Sequence, residues 1–131
     1  PSLLGLARIA SPKNHTLDGA DFSSLLQGDS NSFKNQDKFC FYPKYAKISK
    51  KSKRWIDSWR NVIYSDNLKL IEYPEYNEYE LFDVNKDQRE ENNLSTSQPE
   101  KTEELKKKLR QWLEETQAPK LELNPGFLGI K

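Results

Sequence analysis

In the middle of the chain, strand-forming segments alternate with turn-forming residues, and this pattern constrains the fold most. Trp59 to Tyr64 is aromatic and β-branched, and Leu68 to Tyr73 is rich in Leu, Ile and Tyr. Ser65 to Asn67 lies between them and supplies residues that tolerate the positive φ of a tight hairpin. Pro74 ends the second strand, and Tyr79 to Val84 resumes strand composition after a polar turn. The pattern predicts a three-stranded antiparallel meander.

A long helix is predicted over residues 98–117. Its apolar residues recur at helical spacing: Leu105, Leu109, Trp112 and Leu113. Ser97 with Glu100 predicts a capping box, and Pro99 stands in the first turn, where its missing N–H costs nothing. An isolated amphipathic helix of this length is marginal in water, so we expect its apolar stripe to lie on the sheet.

The remaining elements are shorter. Phe39 to Tyr45 is a strand candidate that Pro43 restricts to a sheet edge, and a basic loop follows it. The loop carries Lys47, Lys50, Lys51, Lys53 and Arg54. Ser2 to Ala10 and Asp21 to Gln27 are predicted as short helices, the second closed by Gly28. The predicted fold class is α+β, a small antiparallel sheet of about four strands packed by the long C-terminal helix.

Composition narrows the function classes. The chain has 131 residues, enough for one modest domain, but 31% are charged and only 34% apolar, which favours a small lobe docked on something larger. The net charge of +1 gives no general argument for nucleic acid or an anionic membrane, and we expect neither as a partner. One cysteine excludes an internal disulfide, and the absence of Met indicates that the first residue is not an initiator.

Several motifs, in order, resemble the C-terminal region of the sulfatases, the arylsulfatase-like sulfate-ester hydrolases. The C-terminal half carries Arg60 to Ile71, Glu80-Leu81-Phe82-Asp83-Val84, Lys86 to Glu90, Asn93-Leu94 and Trp112-Leu113. Nearer the N-terminus, Pro1 to Ala7 and Leu17 to Leu26 are similar to two further family segments. The resemblance implies that the short N-terminal helices belong to the edge of a larger α/β catalytic domain.

The chain departs from the family pattern in two places. Gln88 replaces a turn proline, so we expect the Asp87 side chain to hold this turn by bonding the backbone ahead. Phe41 and Lys44 replace both histidines of the family's His-Tyr-Pro-His-Tyr motif. Asp83, Asp87 and Glu90 are interpreted as local backbone caps.

Sulfate-ester hydrolysis requires a nucleophile, a cationic or metal clamp and a general acid. The resemblance implies that the parent enzyme uses calcium and a formylglycine made within a Cys-x-Pro/Ala-x-Arg segment. Cys40 lies instead between Phe39 and Phe41 and is predicted to be a buried, inert strand residue. His15 has no visible catalytic partner, and no cluster has metal-ligand spacing. We therefore predict no catalytic residue, metal site or cofactor in this chain, and no activity for the chain alone.

Three residues are candidates for substrate binding. If the lobe borders the cleft, as the resemblance implies, the aromatic faces of Tyr42 and Tyr45 would stack on a sugar ring and Lys44 would pair with sulfate. The alternative is that both tyrosines pack the strand and Lys44 is merely solvated. Asn14 and Asn93 begin glycosylation sequons, which apply only on a eukaryotic secretory route.

From the sequence we hypothesise that the chain is the C-terminal part of a sulfatase. Residues 1–28 would be the edge of the catalytic domain, and residues 29–131 the C-terminal subdomain. Its partners would be the upstream catalytic domain of the same polypeptide and a sulfated substrate, most simply a carbohydrate. The resemblance favours a secreted, periplasmic or lysosomal location. The alternative is a stand-alone α+β module that binds an anionic glycan or other polyanion through Lys47 to Arg54.

Overall fold

The computed structural model describes residues 1–15, 17, 19–29, 36–120 and 122. It falls into two units, Pro1–Gln36 and Asp37–Lys131. Of residues 121–131, only Glu122 is described.

The first unit contains two short helices, α1 (Ser2–Ala7) and α2 (Ser23–Leu26). The Ser2 hydroxyl accepts a hydrogen bond from the backbone N–H of Phe22 at 3.1 Å, which ties the two helices together. A Cβ at Gly5 would lie within 3 Å of the Asp21 carboxylate and the Ser23 hydroxyl, so those side chains would have to shift. Large apolar side chains of this unit are exposed, among them Leu3, Ile9, Phe22 and Leu26. The assignment of this unit to the edge of a larger domain stays a prediction.

Within the described residues, the second unit builds a four-stranded antiparallel sheet in the order β1-β2-β3-β4. The strands are β1 (Lys38–Tyr42), β2 (Arg60–Ser65), β3 (Leu68–Tyr73) and β4 (Glu78–Asp83), and the helix α3 (Pro99–Glu115) follows them. The predicted α+β class and sheet-plus-helix architecture are confirmed. β1 is an edge strand and ends before Pro43, as expected of a residue that cannot donate to the ladder. The hairpin turn is Asp66-Asn67, with Asp66 at φ 52°.

The core lies between one face of the sheet and α3. Its fully buried side chains are Ile63, Leu70 and Leu81 of the sheet and Leu105 and Leu109 of the helix. Trp112 is only half-buried, and its ring stacks on Phe39 with the ring centroids 4.9 Å apart. The predicted helix stripe therefore does face the sheet. On the opposite face, Val62, Ile71 and Phe82 form a smaller buried cluster.

The predicted capping box and the predicted burial of Cys40 were wrong. Ser97 and Glu100 do not form a capping box: Gln98 is the N-cap, without a side-chain cap bond, and the Ser97 hydroxyl donates to the Leu94 carbonyl at 3.2 Å. Buried Thr102 fastens the first turn instead, because its hydroxyl donates to the Gln98 carbonyl at 2.9 Å and also reaches the Ser95 carbonyl.

Cys40 is exposed rather than buried. Side chains alternate along a strand, and in β1 it is Phe39 and Phe41 that are half-buried.

The turn after β4 is held as predicted. The Asp87 carboxylate accepts the backbone N–H of Asn92 at 2.8 Å and of Glu91 at 3.1 Å. These bonds hold the pKa of Asp87 below its usual value. Asp83 caps its own turn in the same way, accepting the N–H groups of the two residues after Val84. Glu90 differs from the prediction: its carboxylate pairs with the Lys69 ammonium at 2.7 Å rather than capping the backbone.

Asn93 covers the outer edge of β4. Its Oδ1 accepts the N–H of buried Leu81 at 3.1 Å and the N–H of Ser95 at 2.9 Å, and the Leu94 N–H bonds the Leu81 carbonyl at 2.7 Å. These bonds satisfy backbone groups that an edge strand otherwise leaves unpaired.

Replacing Asn93 with alanine is expected to lower the free energy of unfolding by about 1–3 kcal/mol, because the buried Leu81 N–H loses its acceptor. Asn93→Asp keeps an acceptor oxygen and should cost less. Urea denaturation of the two variants and the wild type measures the difference. Equal losses in both variants would contradict a role for the acceptor oxygen.

Candidate functional site

The three predicted substrate-binding residues lie together at the C-terminal end of β1 and just beyond it. Tyr42 and Tyr45 are 36% and 40% exposed, and Lys44 is also exposed, so none is committed to the core. The Lys44 N–H donates to the Tyr42 carbonyl at 3.0 Å, which fixes a tight bend through Pro43. Both rings and the ammonium group are therefore available to a ligand.

Two cations flank the Tyr42 ring. The Lys44 Nζ lies 5.9 Å from the ring centroid, and the guanidinium carbon of Arg60 lies 5.4 Å from it. Arg60 is opposite Tyr42 in the β1–β2 register, and its guanidinium pairs with the Asp57 carboxylate. An aromatic face between two cations can hold a ring that carries an anionic group. We refer to Tyr42, Lys44, Tyr45 and Arg60 as the Tyr42 surface.

Tyr45, at one end of the Tyr42 surface, also packs against a neighbouring aromatic ring. The Tyr45 ring meets the Trp55 ring edge-on, with the centroids 5.3 Å apart. Burial and the neighbouring Glu75 carboxylate raise the pKa of the Tyr45 hydroxyl. Tyr45 is therefore a neutral hydrogen-bond donor at physiological pH.

Sequence reasoning missed Arg60 as a member of this surface. The family-like motif beginning at Arg60 marked it as part of a strand, but only the pairing of β1 with β2 brings it beside Tyr42. Register sets which residues are neighbours across a sheet, and the register of β1 against β2 could not be predicted from the sequence of either strand alone.

In the basic loop, Arg54 contacts side chains of the residues that follow β3. Arg54 stacks on the Tyr76 ring at 3.9 Å and pairs with the Glu78 carboxylate at 2.7 Å. The lysines of this loop, Lys47, Lys50, Lys51 and Lys53, are exposed. Both side chains of this ion pair remain about half-exposed, so Arg54 stays at the surface beside the four lysines that the polyanion-binding alternative requires.

In the described residues, no three side chains of His, Cys, Asp and Glu come together as a metal ion would require. Cys40, on β1, lies between Phe39 and Phe41, which offer no group to activate its thiol. No helix in the described part of the chain is long and apolar enough to cross a membrane.

The glycosylation candidates occupy different settings. Asn14 is exposed in a turn of the first unit, and Thr16 of its sequon lies outside the described residues. Asn93 is exposed, but its side-chain nitrogen, which would carry a glycan, donates to the Tyr79 carbonyl at 3.5 Å. Modification at either asparagine stays a prediction.

The chain matches one family model and several solved structures. The family model described as "N-sulphoglucosamine sulphohydrolase, C-terminal" matches residues 1–119. No curated protein matches the chain.

Three solved structures have the same fold. BT1596, described as a 2-O GAG sulfatase, shares 20% sequence identity at a TM-score of 0.68, over 95% of this chain and 26% of that one. A putative sulfatase from Bacteroides thetaiotaomicron shares 20% identity at a TM-score of 0.67, with the same coverage of 95% and 26%. BT4656, in complex with its substrate D-glucosamine-2-N,6-O-disulfate, shares 25% identity at a TM-score of 0.53, over 89% and 22% of the two chains. The chain thus spans about a quarter of the length of these structures.

Proposed function

The chain belongs to the family of N-sulphoglucosamine sulphohydrolase C-terminal regions, and from this membership we propose that it is the C-terminal lobe of a sulfuric ester hydrolase. The lobe would cover one side of the catalytic domain of the same polypeptide and border its substrate cleft. Nucleophile, metal ligands and general acid would lie outside this chain.

The observation that carries the proposal for the cleft is the Tyr42 surface. An exposed ring with cations at 5.9 Å and 5.4 Å offers stacking and charge to a sulfated sugar at once. One structural relative is described in complex with a disulfated glucosamine. We therefore propose a sulfated carbohydrate as the substrate of the whole protein.

The first unit supports the proposal of a larger catalytic domain. Leu3 is 82% exposed and Leu26 is 61% exposed, and helices this short cannot bury such side chains among themselves. Exposed apolar side chains on small helices are expected where a larger domain packs over them.

We also propose that calcium and formylglycine act in the parent protein. The described residues do not fit either group, because no carboxylate cluster converges there and Cys40 lacks the required arginine spacing. No step of the reaction is therefore assigned to a residue of this chain. The role that remains for the Tyr42 surface is to bind and orient substrate.

Replacing Lys44 with alanine in the full-length protein should raise KM for a sulfated saccharide about tenfold, since a charge-assisted bond to sulfate is lost. Because Lys44 would bind ground state and transition state alike, kcat should change little. Steady-state kinetics on a sulfated glucosamine measures both constants. Lys107→Ala removes an exposed lysine from α3 and serves as the matched control. An unchanged KM for Lys44→Ala, or an equal rise for Lys107→Ala, would exclude Lys44 from the cleft.

The polyanion-binding alternative makes a different prediction. It expects affinity for an anionic glycan to fall steeply with salt and to depend on the loop lysines at 47, 50, 51 and 53. Loss of binding in Lys44→Ala but not in a variant of those four lysines favours the lobe of a hydrolase.

A further inference from the structure

A cavity of about 550 Å³ opens in the second unit, between the C-terminal half of α3 and the ends of β2 and β3. Side chains that line it include Trp59, Asn61, Glu72, Arg110, Glu114 and Lys120. We propose that this cavity binds a neutral saccharide unit. The proposal does not depend on the function proposed above.

The floor of the cavity carries Asn61 and Glu72, which belong to a polar row on the sheet face that α3 covers. Asn61, Glu72 and Tyr79 pair directly across β2, β3 and β4. The row two residues along the same face is Ile63, Leu70 and Leu81, all fully buried under α3. The face therefore changes from apolar to polar at the point where the cavity opens. Glu72 is half-buried there, and hydrogen bonds from its neighbours offset the cost of placing its carboxylate under the helix.

The row is preorganised, and it keeps hydrogen-bonding capacity. Glu72 Oε2 accepts from the Asn61 amide at 2.8 Å, and Oε1 accepts from the Tyr79 hydroxyl at 2.8 Å. A carboxylate accepts about four hydrogen bonds, so about two acceptor positions of Glu72 are left for a ligand. Trp59 Nε1 donates to Asn61 Oδ1 at 3.2 Å, which fixes the indole at the wall. The Tyr79 hydroxyl raises the pKa of the Arg110 guanidinium, which adds further donors.

These groups match the chemistry of a sugar. The hydroxyl groups of a saccharide donate to a carboxylate and accept from a guanidinium, while its C–H face packs on an indole ring. The volume is within the range of about 300–1,000 Å³ for small-molecule sites. The two carboxylates, Glu72 and Glu114, balance the two cations, Arg110 and Lys120, so the lining has no net charge to attract a sulfated unit.

The cavity is separate from the Tyr42 surface. Tyr42 and Arg60 form a cross-strand pair, and the adjacent pair, Phe41 and Asn61, points to the opposite face of the sheet. The cavity belongs to the helix-covered face, and the Tyr42 surface to the other. Binding at one is therefore testable without occupying the other.

The experiment titrates the full-length protein with glucose, galactose, N-acetylglucosamine and lactose, followed by saturation-transfer NMR. We expect at least one saccharide to bind, and Trp59→Leu to abolish that binding. Glu72→Gln, which keeps the side-chain size, should weaken it about tenfold through loss of a charged acceptor. Tyr64→Leu is the matched control, since it removes an aromatic ring from the opposite face of the sheet. Unfolding midpoints of all variants identify any that fail to fold.

Any of four results would overturn the inference. One is that none of the four saccharides binds. Another is that Trp59→Leu and Tyr64→Leu bind equally well, or that Glu72→Gln binds like the wild type in a folded state. The last is that only sulfated sugars bind and that Lys44→Ala removes this binding, which would support the proposed function while excluding the cavity as a saccharide site.

Discussion

Replacing Leu105 with alanine is expected to lower the free energy of unfolding of the second unit by about 2–5 kcal/mol. Leu105 is 0% exposed in the cluster that joins α3 to the sheet, together with Ile63, Leu70 and Leu81. The substitution removes buried methyl groups and leaves a cavity that the strands cannot close, and both effects destabilise. Trp112→Ala is expected to cost less, because Trp112 is only half-buried.

Urea denaturation followed by tryptophan fluorescence measures the change, since Trp112 is stacked on Phe39 in the folded state. The midpoint should fall while the slope with denaturant is unchanged. Lys107→Ala, on the exposed face of the same helix, is the control and should stay within about 0.5 kcal/mol of the wild type. A Leu105→Ala variant as stable as this control would mean that α3 does not pack on the sheet as described.

The second large effect is complete loss of turnover when the chain is separated from its parent. We expect the isolated 131-residue chain to hydrolyse no sulfate ester, while the full-length protein does. The described residues supply aromatic faces and cations but no activated nucleophile: Cys40 lies between two phenylalanines. Binding groups without a nucleophile and general acid hold a substrate without reacting with it.

The assay compares equal concentrations of isolated chain and full-length protein on one sulfated glucosamine substrate. Calcium provides a readout besides activity. Because no carboxylate cluster converges in the described residues, calcium or a chelator should not shift the unfolding midpoint of the isolated chain. Turnover by the isolated chain, or a calcium-dependent midpoint, would place catalytic machinery within it.

The two faces of the sheet relate these predictions to one another. The helix-covered face provides stability through Leu105 and Leu109 and opens into the cavity at one end. The other face presents Tyr42 and Arg60 at the same end. The Leu105 variant therefore tests the packing of α3 on the sheet. The Lys44 variant tests binding at the Tyr42 surface, and the Trp59 variant tests binding in the cavity on the other face.

Sequence determined the elements and their order because it encodes them locally. Asp66-Asn67 joins two strands by a two-residue turn, which makes them antiparallel neighbours, and Pro43 confines β1 to an edge. The leucine period of α3 fixes which helix face is buried. The prediction that the Asp87 side chain holds the turn lacking the family proline was also correct, since an aspartate can bond the backbone a few residues ahead.

Tertiary structure alone decided the contacts between distant segments. The exposure of Cys40, the pairing of Arg60 with Tyr42 and the polar row beneath Trp59 all depend on strand register. A capping box at Ser97 was plausible locally, yet Thr102 and its bond to the Ser95 carbonyl fixed the helix start. Local turn and helix preferences involve neighbours in sequence, whereas register is chosen by burying one shared set of side chains, and that choice exists only once the chain has folded.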